Sequence, residues 1–560
     1  MSKSNMLSEQ AVENEALLST DDSNVPLEEF VYRARLQRER EKKPEHGAGD
    51  MDTAIPIFGF LSHLSKRKKK EDDDSSSDKN DNMPSGTNVE VEEVEVASRA
   101  VRNATWMSVF YLITTDMLGP TTAPYAVSQL GFVPGSLLYF LFGIAAAYSG
   151  YILFKMYLKL DSLAYPLKNF GDVMGRIYGN KFRYGVDFLQ TLQFVCNVAV
   201  IILGNGQGLY QVVKKKACFA VMVVVWAIIG MIVGQIRTLQ KFGFLSNIAI
   251  WLNLFVCFAT MGVVAHTGVN YDAAYSQNGI EKGPVIAQAI VSGGGEKFTI
   301  QLEAAMNIVY AYGGAIMFVE FMAEMRRPMD FWKSMFLAQS VIFCIYLLYG
   351  LFVYAYQGQF TVNPANQGIS PYNWQTALNV VNFVSSLIAA CLFSNIGIKV
   401  IYNTIFRRAF KLPDLNSKYG KLLWIPMVIF YWGLCYVIAS AIPQFTTLTG
   451  LVGAVCILQF TYTFPSIMAL GLDVQLNAMK ADGPYDPVTK TTNRIDTWKQ
   501  ASRWIRGFKT KWYRNLFHAL FFLASLATAI LGVYSSALEI KKAYGAGSNL
   551  NGAFSCKGNI

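Results

Sequence analysis

An acid, a glycine and two prolines interrupt an apolar run in the stretch TTDMLGPTTAPYA, residues 114–126. A Gly-Pro pair removes backbone hydrogen bonds and kinks a helix, and lipid tolerates this only where the freed groups face protein or a water-filled cavity. We therefore expect a membrane helix to unwind around Leu118–Ala123. Asp116 would be costly against lipid, so it should face the protein interior.

A second apolar run, NIVYAYGGAIMFVEFMAEMRRP at residues 307–328, has a glycine pair, Gly313 and Gly314, at its centre. Glycine pairs permit irregular backbone and close approach. One such break would be a packing kink, because glycine and proline are frequent in membrane helices. Two breaks that open two corresponding halves of a chain instead favour a midplane site in an inverted-repeat transporter.

The two breaks also suggest what such a site would bind. The N-terminus of a half-helix presents unpaired N–H groups that suit a carboxylate, while exposed carbonyls and helix C-termini suit an ammonium group or a cation. An α-amino acid carries both groups. We expect Tyr312, beside the glycine pair, to supply an apolar wall. The candidate substrate-binding residues are Leu118, Gly119, Thr121, Thr122, Tyr312, Gly313, Gly314 and Ala315.

The composition of the 560 residues, 52% hydrophobic and 16% charged, indicates an integral membrane protein. Residues 1–102 contain 15 Lys and Arg against 22 Asp and Glu, whereas the remainder contains 34 against 17. These basic residues lie in short clusters between apolar runs rather than along one face, which argues against nucleic-acid binding. We expect residues 1–100 to form a cytosolic, largely disordered tail in which LEEFVYRARLQREREKK is a charged helix.

Eleven apolar segments approach the ~20 residues that a bilayer requires, so the sequence predicts an all-α membrane protein with eleven transmembrane helices. The first apolar run begins only near Thr105, and we therefore expect an internal signal anchor. The predicted spans are 104–129, 135–158, 183–211, 217–234, 242–265, 303–323, 332–356, 374–404, 422–442, 446–470 and 514–537.

Lys and Arg set the orientation of these spans. With the N-terminus inside, the cytosolic loops contain 26 Lys and Arg and the opposite face contains 8. The positive-inside rule therefore places the N-terminus in the cytosol and the tail 541–560 outside, although Lys214, Lys215 and Lys216 go against it. The loops 266–302 and 357–373 would face outward, either as part of an external vestibule or as simple connections.

The transporter domain would cover residues 101–540. Its first repeat would extend over about 104–265 and its second over about 303–470, with 514–537 as an additional helix. Each repeat would thus open with one of the two interrupted helices.

The sequence argues against an enzyme and against a metal or disulfide framework. Motifs such as HExxH and GxSxG do not occur, and the four histidines do not cluster. Eight cysteines are present without CxxC spacing, so neither a zinc site nor a set of disulfides is expected. No cofactor is expected, and the partners would be an amino acid substrate and membrane lipid.

Three segments resemble signatures of the amino acid/auxin permease family, and most closely its fungal neutral amino acid permeases. MLGPTTAPYAVSQLGFVPG is similar to the first-helix signature, NFGDVMGRIYG to the segment between helices two and three, and YAYGGAIMFVEFMAEMRRP to the sixth helix. Their order and spacing cover about residues 100–540. One difference is Asp116, which stands where the family more often has small or amide residues.

The resemblance implies a LeuT-type five-plus-five fold with discontinuous helices one and six. It implies secondary active transport of neutral amino acids, with H⁺ as the coupling ion and Na⁺ as the alternative. In such folds a hydroxyl on helix eight faces the first break and can bind a cation, which makes Ser386 or Ser394 a candidate. The membrane would more readily be the plasma membrane than the vacuolar one.

Several acids near the spans are candidates for coupling and gating. A carboxylate removed from water is more easily protonated, so we hypothesise that Asp116 takes part in proton coupling; backbone N–H groups at the break are the alternative partners. Arg183 and Asp187 are spaced for a helical ion pair. Glu320 and Glu324 precede two arginines and suggest a cytosolic gate.

An amino acid sensor that signals through the N-terminal tail is the competing hypothesis. The tail would then contact cytosolic regulators. Deletion of residues 1–95 separates the two, since a permease retains substrate flux without its tail. A channel is disfavoured because a closed central site requires no continuous pore.

Overall fold

A computed structural model describes residues 25–41, 102, 104–237, 239–293, 296–402, 406, 412, 415, 417–442, 444–544 and 553–558. The described residues fall into two compact units. The small unit contains residues 25–41, 161–166 and 484–492, and the large unit contains the others.

The small unit is built around the helix α1, Leu27–Glu41, which confirms the charged helix predicted for this part of the tail. Arg38 forms an ion pair of 2.9 Å with Asp161, which is fully buried. The Tyr165 hydroxyl donates to Glu29 at 3.0 Å. These contacts hold α1 on the segment 161–166, so this part of the tail is structured.

A hairpin of two short strands completes the small unit. Strand β1, Tyr485–Asp486, pairs antiparallel with β2, Thr491–Thr492. The Tyr485 ring lies 5.5 Å from that of Tyr32 on α1. Helix α1 therefore contacts both chain segments that make up the rest of this unit.

The described secondary-structure elements of the large unit are helices. Its helices are α2 (Trp106–Met117), α3 (Ala123–Leu130), α4 (Phe132–Leu160), α5 (Phe170–Tyr178), α6 (Asn180–Val212), α7 (Phe219–Val233), α8 (Leu239–His266), α9 (Tyr271–Asn278), α10 (Glu296–Ala311), α11 (Phe318–Glu324), α12 (Phe331–Gln357), α13 (Tyr372–Ile401), α14 (Lys418–Ala441), α15 (Phe445–Val452), α16 (Phe464–Met479), α17 (Ala501–Lys509) and α18 (Trp512–Ala543).

Nine stretches among the described residues are helical, long and apolar enough to cross a membrane. We predicted eleven spans. The two predicted spans that are not among these nine, 104–129 and 217–234, also contain apolar helices. Helix α7 has only 15 residues and is therefore shorter than the others. The first predicted span is divided into α2 and α3, neither of which reaches the length of a full crossing.

Side chains that cap helix ends explain where several helices begin. Thr105 accepts a hydrogen bond from the Ser108 N–H at the start of α2. Asn169 and Asp172 form a reciprocal capping box at the start of α5. Each cap satisfies backbone groups that a helix end leaves open.

The loop between α12 and α13 is buried. Residues 360–369 are all buried, and Gln277 and Asn278 of α9 hydrogen-bond Asn363 and Thr361 of this loop. Glycine is required at Gly358, which has a positive φ of 53° and would bring a Cβ within 2.6 Å of the Ile286 carbonyl oxygen. The loop is thus packed into the structure and held there by side chains of α9.

A disulfide joins Cys218, just before α7, to Cys556 near the C-terminus. We expected no disulfide framework, and this single bond was not predicted. The two cysteines are 338 residues apart, and no spacing motif connects them. Backbone contact accompanies the bond, because the Phe219 N–H donates to the Cys556 carbonyl at 2.9 Å.

Thiol counting tests this disulfide. Six cysteines of the described structure are free, so we expect a maleimide reagent to label six of the eight thiols after denaturation without reductant, and all eight with reductant. Cys556→Ser should leave Cys218 unpaired and make the labelling independent of reductant. Eight labelled thiols in the wild-type chain without reductant would contradict the assignment.

Candidate functional site

The first interruption lies between α2 and α3. Helix α2 ends at Met117, and Pro120–Thr122 forms a 3₁₀ turn that leads into α3. Gly119, which precedes this turn, has φ −134° and ψ 66°, outside helical values. The backbone therefore opens around the Gly-Pro pair, within the range that the sequence predicted.

Two side chains from other helices satisfy the backbone groups that this interruption frees. The Tyr346 hydroxyl of α12 donates to the Met117 carbonyl at 2.8 Å and accepts from the Gly119 N–H at 3.1 Å. The Asn253 amide of α8 donates to the Leu118 carbonyl at 2.9 Å. An open backbone at membrane depth requires such partners, and these two residues were not identified from the sequence.

The second interruption lies between α10 and α11. Helix α10 ends at Ala311, and Gly313–Met317 forms a 3₁₀ segment before α11 begins. A Cβ at Gly314 would lie 2.7 Å from the Asp116 Oδ2 and 2.6 Å from the Met117 Cγ. The absence of a side chain at Gly314 therefore allows the two interruptions to touch.

A third irregular stretch adjoins the second interruption. Between α15 and α16 the chain forms two π-helical segments, Gly453–Ile457 and Gln459–Thr463. A Cβ at Gly313 would lie 2.8 Å from the Ile457 Cδ1. Such π-helical segments are rare and occur frequently at functional sites, and we did not predict this one.

A cavity of about 150 Å³ lies where the two interruptions meet. Its wall contains five asparagines, three threonines, two serines and two tyrosines, together with apolar side chains such as Phe393 and Phe445. A cavity of about this volume can hold a molecule the size of benzene. It therefore has room for a small polar ligand.

The unsatisfied groups of the cavity wall are all acceptors. Asp116 Oδ2, Asn197 Oδ1 and Asn366 Oδ1 are buried and have no hydrogen-bond partner among the described residues. Buried polar atoms are normally paired, so these three oxygens indicate a ligand with N–H or O–H donors. Asp116 is the only charged side chain among the described lining residues.

The predicted substrate-binding residues divide into two groups. Five of them line the cavity: Leu118, Gly119, Thr121, Thr122 and Gly313. Gly314 lies against Asp116 instead, and Ala315 is buried outside the described lining.

Tyr312 does not form the wall that we expected. Its hydroxyl donates to the Tyr139 carbonyl of α4 at 2.9 Å, so the ring turns away from the cavity. Tyr310, two residues earlier on α10, lines the cavity in its place. The sequence fixes neither which side of the interrupted helix faces the cavity nor how far α10 extends before it opens.

The two serine candidates on α13 lie in different places. Ser386 lines the cavity, and its hydroxyl donates to Asn205 Oδ1 at 2.8 Å. The Ser394 hydroxyl donates to the Cys391 carbonyl of its own helix at 3.1 Å, and Ser394 is fully buried outside the described lining. Only Ser386 is therefore placed to contact a cavity ligand or ion.

The four gate candidates also differ in their contacts. Arg183 forms an ion pair with Asp172 of α5, a partner that we did not predict. Asp187 of α6 is buried against Gly171 of α5. Sequence spacing within one helix does not show that α5 packs alongside α6 and brings a second carboxylate to Arg183.

The two acids of α11 make different contacts. Glu320 accepts a hydrogen bond from Gln190 of α6 at 2.6 Å. At Glu324 the main chain makes the contact: its carbonyl accepts from the Ala104 N–H at 3.0 Å, and the Ala104 carbonyl accepts from the Arg326 N–H at 3.0 Å. The start of α2 and the end of α11 are thus tied together.

These features define a helical membrane protein with a polar cavity between two interrupted helices. The sequence model of the family described as transmembrane amino acid transporter protein matches residues 102–475. The chain therefore belongs to this family, and the resemblance to amino acid/auxin permeases is confirmed. The family consists of transporters rather than enzymes.

Several individual proteins are also similar to this chain. The chain is 24% identical over 488 residues to a "transmembrane transporter" of Fusarium pseudograminearum, covering 85% of this chain and 91% of that protein. It is 25% identical over 379 residues to the "N amino acid transport system protein" of Neurospora crassa, covering 65% and 74%. Among solved structures, the nucleobase-cation-symport-1 family transporter Mhp1 matches with a TM-score of 0.44 at 12% identity, covering 79% and 94%.

The bridging hydroxyl of Tyr346 gives a prediction. Tyr346→Phe removes the hydroxyl that bridges the Met117 carbonyl and the Gly119 N–H and leaves these two groups only their 3.0 Å bond to each other; loss of such hydrogen bonds costs about 1 kcal/mol each. We expect the variant to melt at a lower temperature in detergent and to take up amino acid about tenfold more slowly per molecule. Radiolabelled uptake and a thermal melt measure the two effects.

Tyr431 of α14 provides the matched control. It is equally buried, and its hydroxyl makes no hydrogen bond with any described residue. Tyr431→Phe should change neither property. Equal behaviour of the two variants would show that Tyr346 does not support the interruption.

Proposed function

We propose that this protein is a secondary active transporter that moves neutral amino acids by proton symport and alternating access. The observation that carries the proposal is the polar cavity where the interruptions at Gly119–Pro120 and Gly313–Gly314 meet. Family membership supports amino acids as the substrate class. The proposed architecture has eleven transmembrane helices, in two repeats of five plus one additional helix.

The carboxylate of the substrate would bind at the first interruption. Thr121 and Thr122 line the cavity in the turn that leads into α3. In α3 itself the Ala123 N–H donates to the Pro120 carbonyl and Pro124 has no N–H. The N–H groups of Thr121 and Thr122 in the preceding turn would therefore be offered to the carboxylate, at the positive end of the helix dipole. These groups would supply the positive potential, since no Lys, Arg or His occurs among the described lining residues.

The ammonium of the substrate would bind to the unsatisfied oxygens. Asp116 Oδ2 and Asn197 Oδ1 are acceptors without a hydrogen-bond donor among the described residues. An ammonium group has three N–H donors and can bind to both. A second carboxylate on the substrate would find no basic side chain among the described lining residues. A zwitterion without a charged side chain therefore suits the cavity best.

The proposed orientation has the N-terminus in the cytosol and the C-terminus outside. The disulfide supports it, because disulfides persist in oxidising, extracellular compartments. Cys218 and Cys556 would then both lie on the outer face, although Lys214, Lys215 and Lys216 beside Cys218 go against the positive-inside rule. The plasma membrane is the proposed location.

Reconstitution in proteoliposomes tests the proposed function. We expect an inwardly directed proton gradient to drive accumulation of labelled neutral amino acids, with little uptake of glutamate. A sodium gradient without a proton gradient should not drive accumulation. Absence of amino acid uptake under both gradients would contradict the proposal. Uptake driven by a sodium gradient alone would show that Na⁺, and not H⁺, is the coupling ion.

Asp116 is the proposed proton-coupling residue. Asp116→Asn keeps the size of the side chain but cannot gain or lose a proton in the relevant range. We expect this variant to lose proton-driven accumulation and the pH dependence of uptake, while exchange of labelled for unlabelled amino acid continues. Counterflow and pH profiles in the same vesicles measure the two activities.

Asp272→Asn, in the exposed part of α9, is the control and should behave as the wild type. Proton-driven uptake that persists in Asp116→Asn with an unchanged pH profile would show that Asp116 has no part in coupling. Loss of both counterflow and accumulation would instead indicate that the asparagine amide cannot replace the Asp116 carboxylate as an acceptor for the substrate ammonium.

A further inference from the structure

Two cavity residues come from a loop between membrane helices. Asn366 lies in the buried loop between α12 and α13, and it lines the cavity together with Pro364 of the same loop. Connecting segments normally run over the surface because their backbone polar groups need partners. Here the partners are internal, since Gln357 donates to the Gly368 carbonyl at 3.0 Å and Gln375 to the Gln367 carbonyl at 2.8 Å.

A chain of amide hydrogen bonds fixes the orientation of the Asn366 side chain. Its Nδ2 donates to Asn379 Oδ1 at 2.7 Å. Asn379 in turn donates to Gln211 Oε1 at 2.8 Å, and Gln211 donates to the Thr376 hydroxyl at 3.3 Å. Because each amide has one donor and one acceptor end, this chain holds the Asn366 NH₂ group toward Asn379.

The other end of the Asn366 amide is then a preorganised acceptor. Asn366 is 2% exposed, and its Oδ1 has no hydrogen-bond partner among the described residues. A buried acceptor without a partner is costly, and a donor on a ligand would remove that cost. The proposed α-ammonium sites, Asp116 and Asn197, lie on α2 and α6 rather than on this loop.

We propose that Asn366 is a specificity-determining residue whose Oδ1 accepts a hydrogen bond from the side chain of the transported amino acid. This inference rests on the proposed function and narrows its substrate class. Neutral amino acids with an amide or hydroxyl donor are preferred over apolar ones of the same shape, because an apolar side chain leaves Asn366 Oδ1 unpaired. The amides of Asn379 and Gln211 act through Asn366 as positioning groups.

Pairs of nearly isosteric substrates test the proposal. Uptake of asparagine against leucine, and of threonine against valine, is measured as kcat/KM in proteoliposomes. The wild type should favour the polar member of each pair by about tenfold. This is the effect expected when the buried Asn366 Oδ1 is hydrogen-bonded with one substrate and unpaired with the other. Asn366→Leu should lose this preference while it retains uptake of leucine and valine.

Gln359→Leu is the control, because Gln359 belongs to the same loop but bonds Ile286 and Pro284 instead of lining the cavity. Its substrate preference should match that of the wild type. If the wild type takes up both members of each pair with equal kcat/KM, the proposal is overturned whatever the variant does. An equal loss for all four substrates in Asn366→Leu also overturns it, since Asn366 would then bind a group common to all amino acids.

The outcomes separate this inference from the proposed function. Uptake of all four amino acids without polar preference supports transport and rejects the role of Asn366. Absence of any uptake by the wild type rejects both.

Discussion

A membrane helix can open only where other groups take over the hydrogen bonds that it gives up. In this protein the Tyr346 hydroxyl performs that task on both sides of the first interruption, and Asn253 holds the carbonyl between them. The second interruption also lies directly against the end of α2. Gly314 allows this contact because it has no side chain in the space that Asp116 and Met117 occupy. The cavity exists because these contacts stabilise open backbone in the middle of the protein.

The cavity combines the features that a zwitterion requires. The turn that precedes α3 lines it with Thr121 and Thr122, and residues with unsatisfied oxygens line it from α2, α6 and the buried loop. Its wall is amide-rich and contains a single charged side chain among the described residues. Three oxygens of the lining residues lack a hydrogen-bond donor, and no basic side chain occurs among the described lining residues. Selectivity would therefore depend more on whether a substrate donates hydrogen bonds than on its charge.

Local patterns in the sequence predicted the helices and the places where two of them open. Gly-Pro in TTDMLGPTTAPYA and Gly-Gly in YAYGGAIM are local backbone constraints, and so the positions of both interruptions followed from them. The capped charged helix at residues 27–41 followed in the same way. The sequence resemblance identified the family because its three motifs occur in order along one chain.

Contacts between distant segments could not be predicted in this way. Tyr346, Asn253 and Asn366 reach the cavity from parts of the chain that carry no local signal, and Arg183 pairs with Asp172 because α5 packs beside α6. The Cys218–Cys556 disulfide joins segments 338 residues apart. Tyr312 turned out to face Tyr139 because helix rotation depends on the packing of α4, which periodicity does not report.

Protection of a cavity thiol by substrate tests the central claim most directly. Thr122→Cys places a thiol in the cavity wall at the start of α3, and Ser276→Cys places one on the exposed part of α9. If an amino acid binds between the two interrupted helices, it will slow the reaction of Thr122→Cys with a small methanethiosulfonate reagent and leave that of Ser276→Cys unchanged. Reaction of Thr122→Cys at the same rate with and without a transported amino acid would contradict this account.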